Sequence, residues 1–96
     1  MSVVEVTTFT LAEGVSAEAF LALDTRMQTE LVPNRIGFLR RTTARHGDEW
    51  LVLTLWASED DAGAFQRDTE DDPLQVEFAR LVEAGSLHLT RFTTLD

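Results

Sequence analysis

Two kinds of apolar pattern alternate along the chain and set the order of its elements. From Val3 to Leu11 the residues are mostly β-branched or apolar, which predicts a strand, and Gly14 marks the turn that follows. Phe20, Leu23, Met27 and Leu31 then recur at three- and four-residue spacing, the stripe of an amphipathic helix. Ser16 is placed to cap that helix, and Pro33 ends it near Leu31 by pushing Val32 out of helical dihedrals. A second strand is predicted from Ile36 to Ala44 and a third from Trp50 to Trp56. The turn Arg45-His46-Gly47-Asp48 joins them as a hairpin. Ser58 with Asp61 forms a capping-box-like start to a second helical region, which Gly63 and Glu70-Asp71-Asp72-Pro73 interrupt. Asp72 and Pro73 restart the helix, whose stripe is Leu74, Phe78 and Leu81. Gly85 closes it, and a last strand runs from Ser86 to Leu95.

The order β-α-β-β-α-β is that of an α+β, ferredoxin-like split βαβ fold. Right-handed crossovers place both helical regions on one face of an antiparallel sheet of order 4-1-3-2. The third strand, W-L-V-L-T-L-W, is apolar at six of its seven positions, so both of its faces seek burial. The outer strands carry Arg40, Arg41, Thr42, Thr43, Thr90, Arg91, Thr93 and Thr94, the polar edges of a greasy centre. Helices cover only one side of such a sheet. A second copy of the same sheet is the simplest cover for the other, and a homodimer is expected.

The chain has 96 residues, enough for one small domain spanning 1–96 that buries roughly 65% of its unfolded surface. Cysteine is absent, which removes disulfides, thiolate nucleophiles and cysteine-based metal sites. No apolar run approaches a membrane span and Met1-Ser2-Val3 lacks a basic leader, so no membrane association and a cytoplasmic location are expected. The net charge of −9 argues against nucleic acid as a partner. Eight of the seventeen acids lie between Glu59 and Glu77, the solvated face of the second helical region.

Against that background a few polar residues stand out. Glu5 interrupts V-V-E-V on a strand predicted to be central, where an unpaired carboxylate is expensive. It either pairs with an arginine on a neighbouring strand, Arg91 by antiparallel register, or serves a pocket as a proton acceptor. Asp24 and Gln28 are four apart beside the first helix's stripe and reach either solvent or a pocket over the sheet. His88 on the fourth strand is a possible proton carrier or a satisfied edge residue. His46 belongs to a turn, and two distant histidines make no metal site. Trp50 and Trp56 share one sheet face, for packing or for stacking on a ring. Arg40 and Arg41 point to opposite faces, so at most one of them serves a given site.

Three segments carry a family resemblance: F-T-L-A-E-G at the end of the first strand, P-N-R-I-G-F-L-R-R-T before the hairpin, and L-T-L-W-A-S-E-D-D-A-G-A-F at the junction into the second helix. Together they make the chain resemble the dimeric α+β barrel superfamily and, within it, antibiotic biosynthesis monooxygenase-like proteins, most closely small uncharacterised actinobacterial members. The resemblance implies sheet-to-sheet dimers with a pocket in each subunit between its own sheet and helices. It also implies activities that range from cofactor-free oxygenation of aromatic compounds to haem degradation or none. The haem-degrading members' Asn, Trp and His fall at Thr7, Phe65 and the stretch Gln75–Phe78, so that triad is absent, and the chain has no Tyr.

Two functions follow. One is a cofactor-independent oxygenase or isomerase acting on a small, ring-containing, apolar molecule, with Glu5, Asp24 or His88 in the proton-transfer role. The other is a non-catalytic dimer that binds a small ligand or assembles with a partner. In either case Phe20, Asp24, Met27, Gln28, Phe65 and His88 are the expected ligand contacts, without metal, flavin or haem.

Overall fold

A computed structural model describes residues 1–95. Four antiparallel strands, β1 (Val3–Phe9), β2 (Phe38–His46), β3 (Glu49–Trp56) and β4 (His88–Thr93), form one sheet of order β2-β3-β1-β4. This is the predicted order read from the other edge. Helices α1 (Ala17–Arg26), α2 (Glu59–Thr69) and α3 (Pro73–Leu81) supply the helical layer. Each begins where a side chain can accept from the unpaired first-turn amides. Ser16 Oγ accepts from Ala19 N at 3.1 Å, Ser58 Oγ from Asp61 N at 3.1 Å, and Asp72 Oδ1 from Leu74 N at 2.9 Å. Ser58 also donates to Asp61 Oδ2 at 2.9 Å, so serine and aspartate hold each other at the start of α2.

Alternation along the strands sorts the sheet into two faces. Val3, Glu5 and Phe9 of β1 and Trp50, Val52, Thr54 and Trp56 of β3 are buried. Phe9, Trp50 and Val52 pack with Phe20 of α1 and with Val82, while Trp56 and Val3 pack with Ala62 of α2, so this face carries the helices. Leu23, Met27, Leu31, Val32 and Leu74 form a third cluster between the helices. By the same alternation Val4, Val6, Leu51, Leu53 and Leu55 point to the opposite face. Among the described residues no element of the chain covers that face.

Several boundaries depart from the sequence expectations. β1 ends at Phe9 rather than Leu11, and Leu11 makes only an isolated bridge to Val82. The first helix does not run uniformly to Leu31: after Arg26 the chain widens into a π turn over Met27–Leu31, with Val32 N donating to Met27 O at 3.0 Å. Met27 and Leu31 of the wide turn and the adjacent Val32 are all buried. β2 starts at Phe38 and runs to His46. Gly47 and Asp48 alone close the hairpin, with Gly47 at φ 61°, as a tight two-residue turn requires at its first position. β4 is shorter than predicted, His88–Thr93. Among the described residues no helix is long and apolar enough to cross a membrane.

Candidate functional site

A cleft of about 390 Å³ lies between the helix-bearing face of the sheet and the helical layer, a size typical of small-molecule sites. Its floor is polar because of register. Arg41 pairs with Thr54, Thr54 with Glu5, and Glu5 with Arg91, so one row crosses all four strands on the helix side. Of this row Arg41, Thr54 and Glu5 line the cleft, with Thr7 beside them. Its walls are mostly apolar: Met27 and Val32 from the π turn, Trp56 from β3, Phe65 from α2 and Phe78 from α3. Trp56 and Phe65 stack at 5.0 Å between ring centroids. Gln66, Glu70 and Leu89, all exposed, stand at the rim.

Each charged group in the row is held from behind. Arg91 Nε donates to Glu5 Oε2 at 2.9 Å, Nη1 to Glu59 at 3.1 Å and Nη2 to Gln66 at 3.1 Å, which ties β1, β4 and α2 together. Burial acts to lower the Arg91 pKa, but the hydrogen bonds to Glu5 and Glu59 outweigh it, and the guanidinium is held above its ordinary range. Glu5 Oε1 has no hydrogen-bond partner among the described residues. Arg41, whose side chain is only 5% exposed, lies with Nη2 2.8 Å from Asp24 Oδ1. No N–H is aligned with that oxygen, so charge rather than a directed hydrogen bond joins the two. Arg41 Nη1 donates to Gln28 Oε1 at 2.9 Å and to Thr43 Oγ1 at 3.4 Å. The indole N–H of Trp56, a residue 1% exposed, is buried without an acceptor.

The residues anticipated from sequence therefore divide. Glu5, Met27 and Phe65 line the cleft, and Glu5 is at the same time paired with Arg91 as register suggested. Asp24 and Gln28 reach it only through Arg41. Phe20 is fully buried at the other end of the core against Phe9 and Trp50, because its helical turn overlies the hairpin end of the sheet. His88 pairs with Thr8 at the strand end, which puts it on the helix-free face, exposed and away from the cleft. Trp50 is packed under Phe20, with Arg45 5.1 Å above its ring, and lies outside this cleft, which Trp56 lines. Arg41 is the lining residue that the sequence left undecided. Parity separated it from Arg40, but a bulge between Phe38 and Arg40 decides which of the two turns inward. Of the positions matched to the haem-degrading triad through the resemblance, Thr7, Phe65 and the two ends of the stretch Gln75–Phe78 line this cleft while Val76 and Glu77 do not, and none carries the triad's side chains.

Solved structures share this architecture. SnoaB, a cofactor-independent oxygenase from Streptomyces nogalater, superposes with a TM-score of 0.82 at 21% identity, over 99% of this chain and 94% of that one. A Bordetella bronchiseptica protein provisionally assigned as an antibiotic biosynthesis monooxygenase gives 0.80 at 13% identity, over 98% and 97%. Rv0793 from Mycobacterium tuberculosis gives 0.72 at 13% identity, over 100% and 97%. No family model and no curated protein matches the sequence. The chain has the fold of antibiotic biosynthesis monooxygenase-like proteins; identities this low speak to architecture and leave the chemistry to the cleft.

Proposed function

We propose that this protein is a homodimer that binds a flat, ring-containing, largely apolar small molecule in the cleft and acts on it as a cofactor-independent oxygenase, with Glu5 as proton acceptor. One observation carries the reading: a carboxylate with one uncommitted oxygen stands in the floor of a mostly apolar cleft large enough for a bicyclic or tricyclic ring system. Proton removal from an activated ring methylene leaves an electron-rich carbanion. Dioxygen oxidises it, one oxygen atom becoming the ring carbonyl and the other leaving as water, so the substrate supplies the electrons. The fold shared with SnoaB supports the same kind of chemistry.

The pairing of Glu5 with Arg91 favours a second reading, a binding protein without catalysis, since that contact gives the carboxylate a structural role between β1 and β4. Oxygen uptake separates the two. A panel of polycyclic phenols and anthrone-like ketones should give dioxygen consumption with the wild-type protein and at least about 100-fold less with Glu5→Gln, the range for a lost general base. Binding of the same compounds without any uptake would leave the non-catalytic reading.

A further inference from the structure

We infer that Arg41 is the specificity-determining residue of the cleft: it anchors a neutral carbonyl oxygen at the β2 side, and Asp24 is the positioning residue behind it. The inference rests on the ligand-binding half of the reading above and not on catalysis.

A guanidinium has five N–H donors and no acceptor. Gln28 and Thr43 take the two hydrogens of Nη1, and Asp24 faces Nη2. That leaves the Nε hydrogen and both hydrogens on Nη2, which nears Asp24 without an aligned N–H, free of hydrogen-bond partners among the described residues, on a side chain 5% exposed that lines the cleft. An almost fully buried arginine with spare donors beside an apolar cavity is built to receive an acceptor. The surrounding charges decide which kind. Asp24 already balances Arg41 and Arg91 balances Glu5, while Glu70 at the rim adds negative charge to the same lining. A free carboxylate or phosphate would find no unbalanced cation there and would face Glu70, whereas a neutral carbonyl takes the spare N–H at no such cost. Arg41 and Glu5 lie two strands apart with Thr54 between them, about 10 Å at the backbone. A carbonyl at Arg41 therefore leaves the far end of a bicyclic ring near the proton acceptor. Asp24 projects from α1 and fixes the guanidinium against the helical layer, so that its position does not depend on the ligand.

The test compares dissociation constants, by equilibrium dialysis at neutral pH, for tetralin, 1-tetralone and tetralin-1-carboxylate. With the wild-type protein the ketone should bind about tenfold or more tighter than tetralin, and the carboxylate more weakly than the ketone. Asp24→Leu combined with Arg41→Met removes both charges at once and leaves neither buried alone, so the fold is kept. In that variant tetralin should bind within about twofold of wild type while the ketone's advantage disappears. Asp24→Asn alone should reduce the ketone's advantage several-fold without changing tetralin binding. A ketone advantage that survives in the double variant overturns the inference, as does a carboxylate that binds tighter than the ketone. If wild-type protein binds tetralin and 1-tetralone equally, the ligand site stands and the anchor falls. If it binds neither, the ligand site itself is wrong and the anchor falls with it.

Discussion

Glu5 and Arg91 face each other across β1 and β4 in a setting between core and surface, with the Arg91 side chain 23% exposed and that of Glu5 11%. Their distance from solvent sets what the pair is worth. Exposed pairs contribute about 0–1 kcal/mol, and removing one partner of a fully buried pair costs about 3–5. Arg91→Ala should therefore cost about 1–3 kcal/mol in urea unfolding. Glu59→Gln should cost at most about 0.5, because Glu59 is 62% exposed. A double-mutant cycle of Arg91→Ala with Glu5→Gln should return about 1 kcal/mol or more of coupling, and strict additivity would mean that the two do not stabilise each other. This contact was legible in the sequence, since antiparallel pairing of the first and last strands places residue 5 opposite residue 91 without further information. Arg41 was not. Inward alternation from Phe38 points to Arg40, and only the extra residue at Leu39, which no composition signal marks, hands the inward position to Arg41.

At the scale of elements, the caps and helix starts follow from local chemistry and were readable, whereas the π turn and the bulge answer to packing between elements. The π turn sets Met27 and Val32 together on the cleft wall, and the bulge sets Arg41 opposite them. The junction between β2 and α2 has a similar dependence at Gly37. Gly37 has φ 82°, its carbonyl accepts from Ala57 N at 2.7 Å, and a Cβ there would be driven into the Asp61 carboxylate. Asp61 is the partner of Ser58 in the α2 cap and cannot move without releasing it. Gly14 has almost the same φ, 83°, but open space around it. The two glycines thus separate backbone strain from steric strain. Gly14→Ala should cost about 1 kcal/mol, the left-handed penalty alone. Gly37→Ala should cost about 2–4, adding the displaced cap. Thermal unfolding of both variants measures the difference, and equal losses would show that Asp61 yields freely. An amide-exchange comparison should place the extra loosening of Gly37→Ala in the first turn of α2.

For the whole molecule, the unanswered surface is the sheet face away from the helices. Val4 and Val6 on β1, Leu51, Leu53 and Leu55 on β3, and Phe92 on β4, 55% exposed and opposite Val4, lie on that one face. A contiguous apolar area on a half-covered sheet calls for a cover, and a two-fold pairing lets one patch cover its own copy. The third strand's sequence alone already points to this cover, because alternation makes both of its faces apolar before any partner is known. Sedimentation at micromolar concentration should give a dimer. Leu53 sits at the middle of the patch, paired with Val6 and Thr42, so Leu53→Glu should yield a folded monomer with an unchanged cleft on the opposite face. Salt offers an independent reading. Each copy carries a net charge of −9, so association works against mutual repulsion, and raising ionic strength from about 0.05 to 0.5 M should tighten the dimer. An interface held by ion pairs would loosen instead. A wild-type monomer in sedimentation would mean that this face tolerates water, and the two-sheet assembly would have to be abandoned.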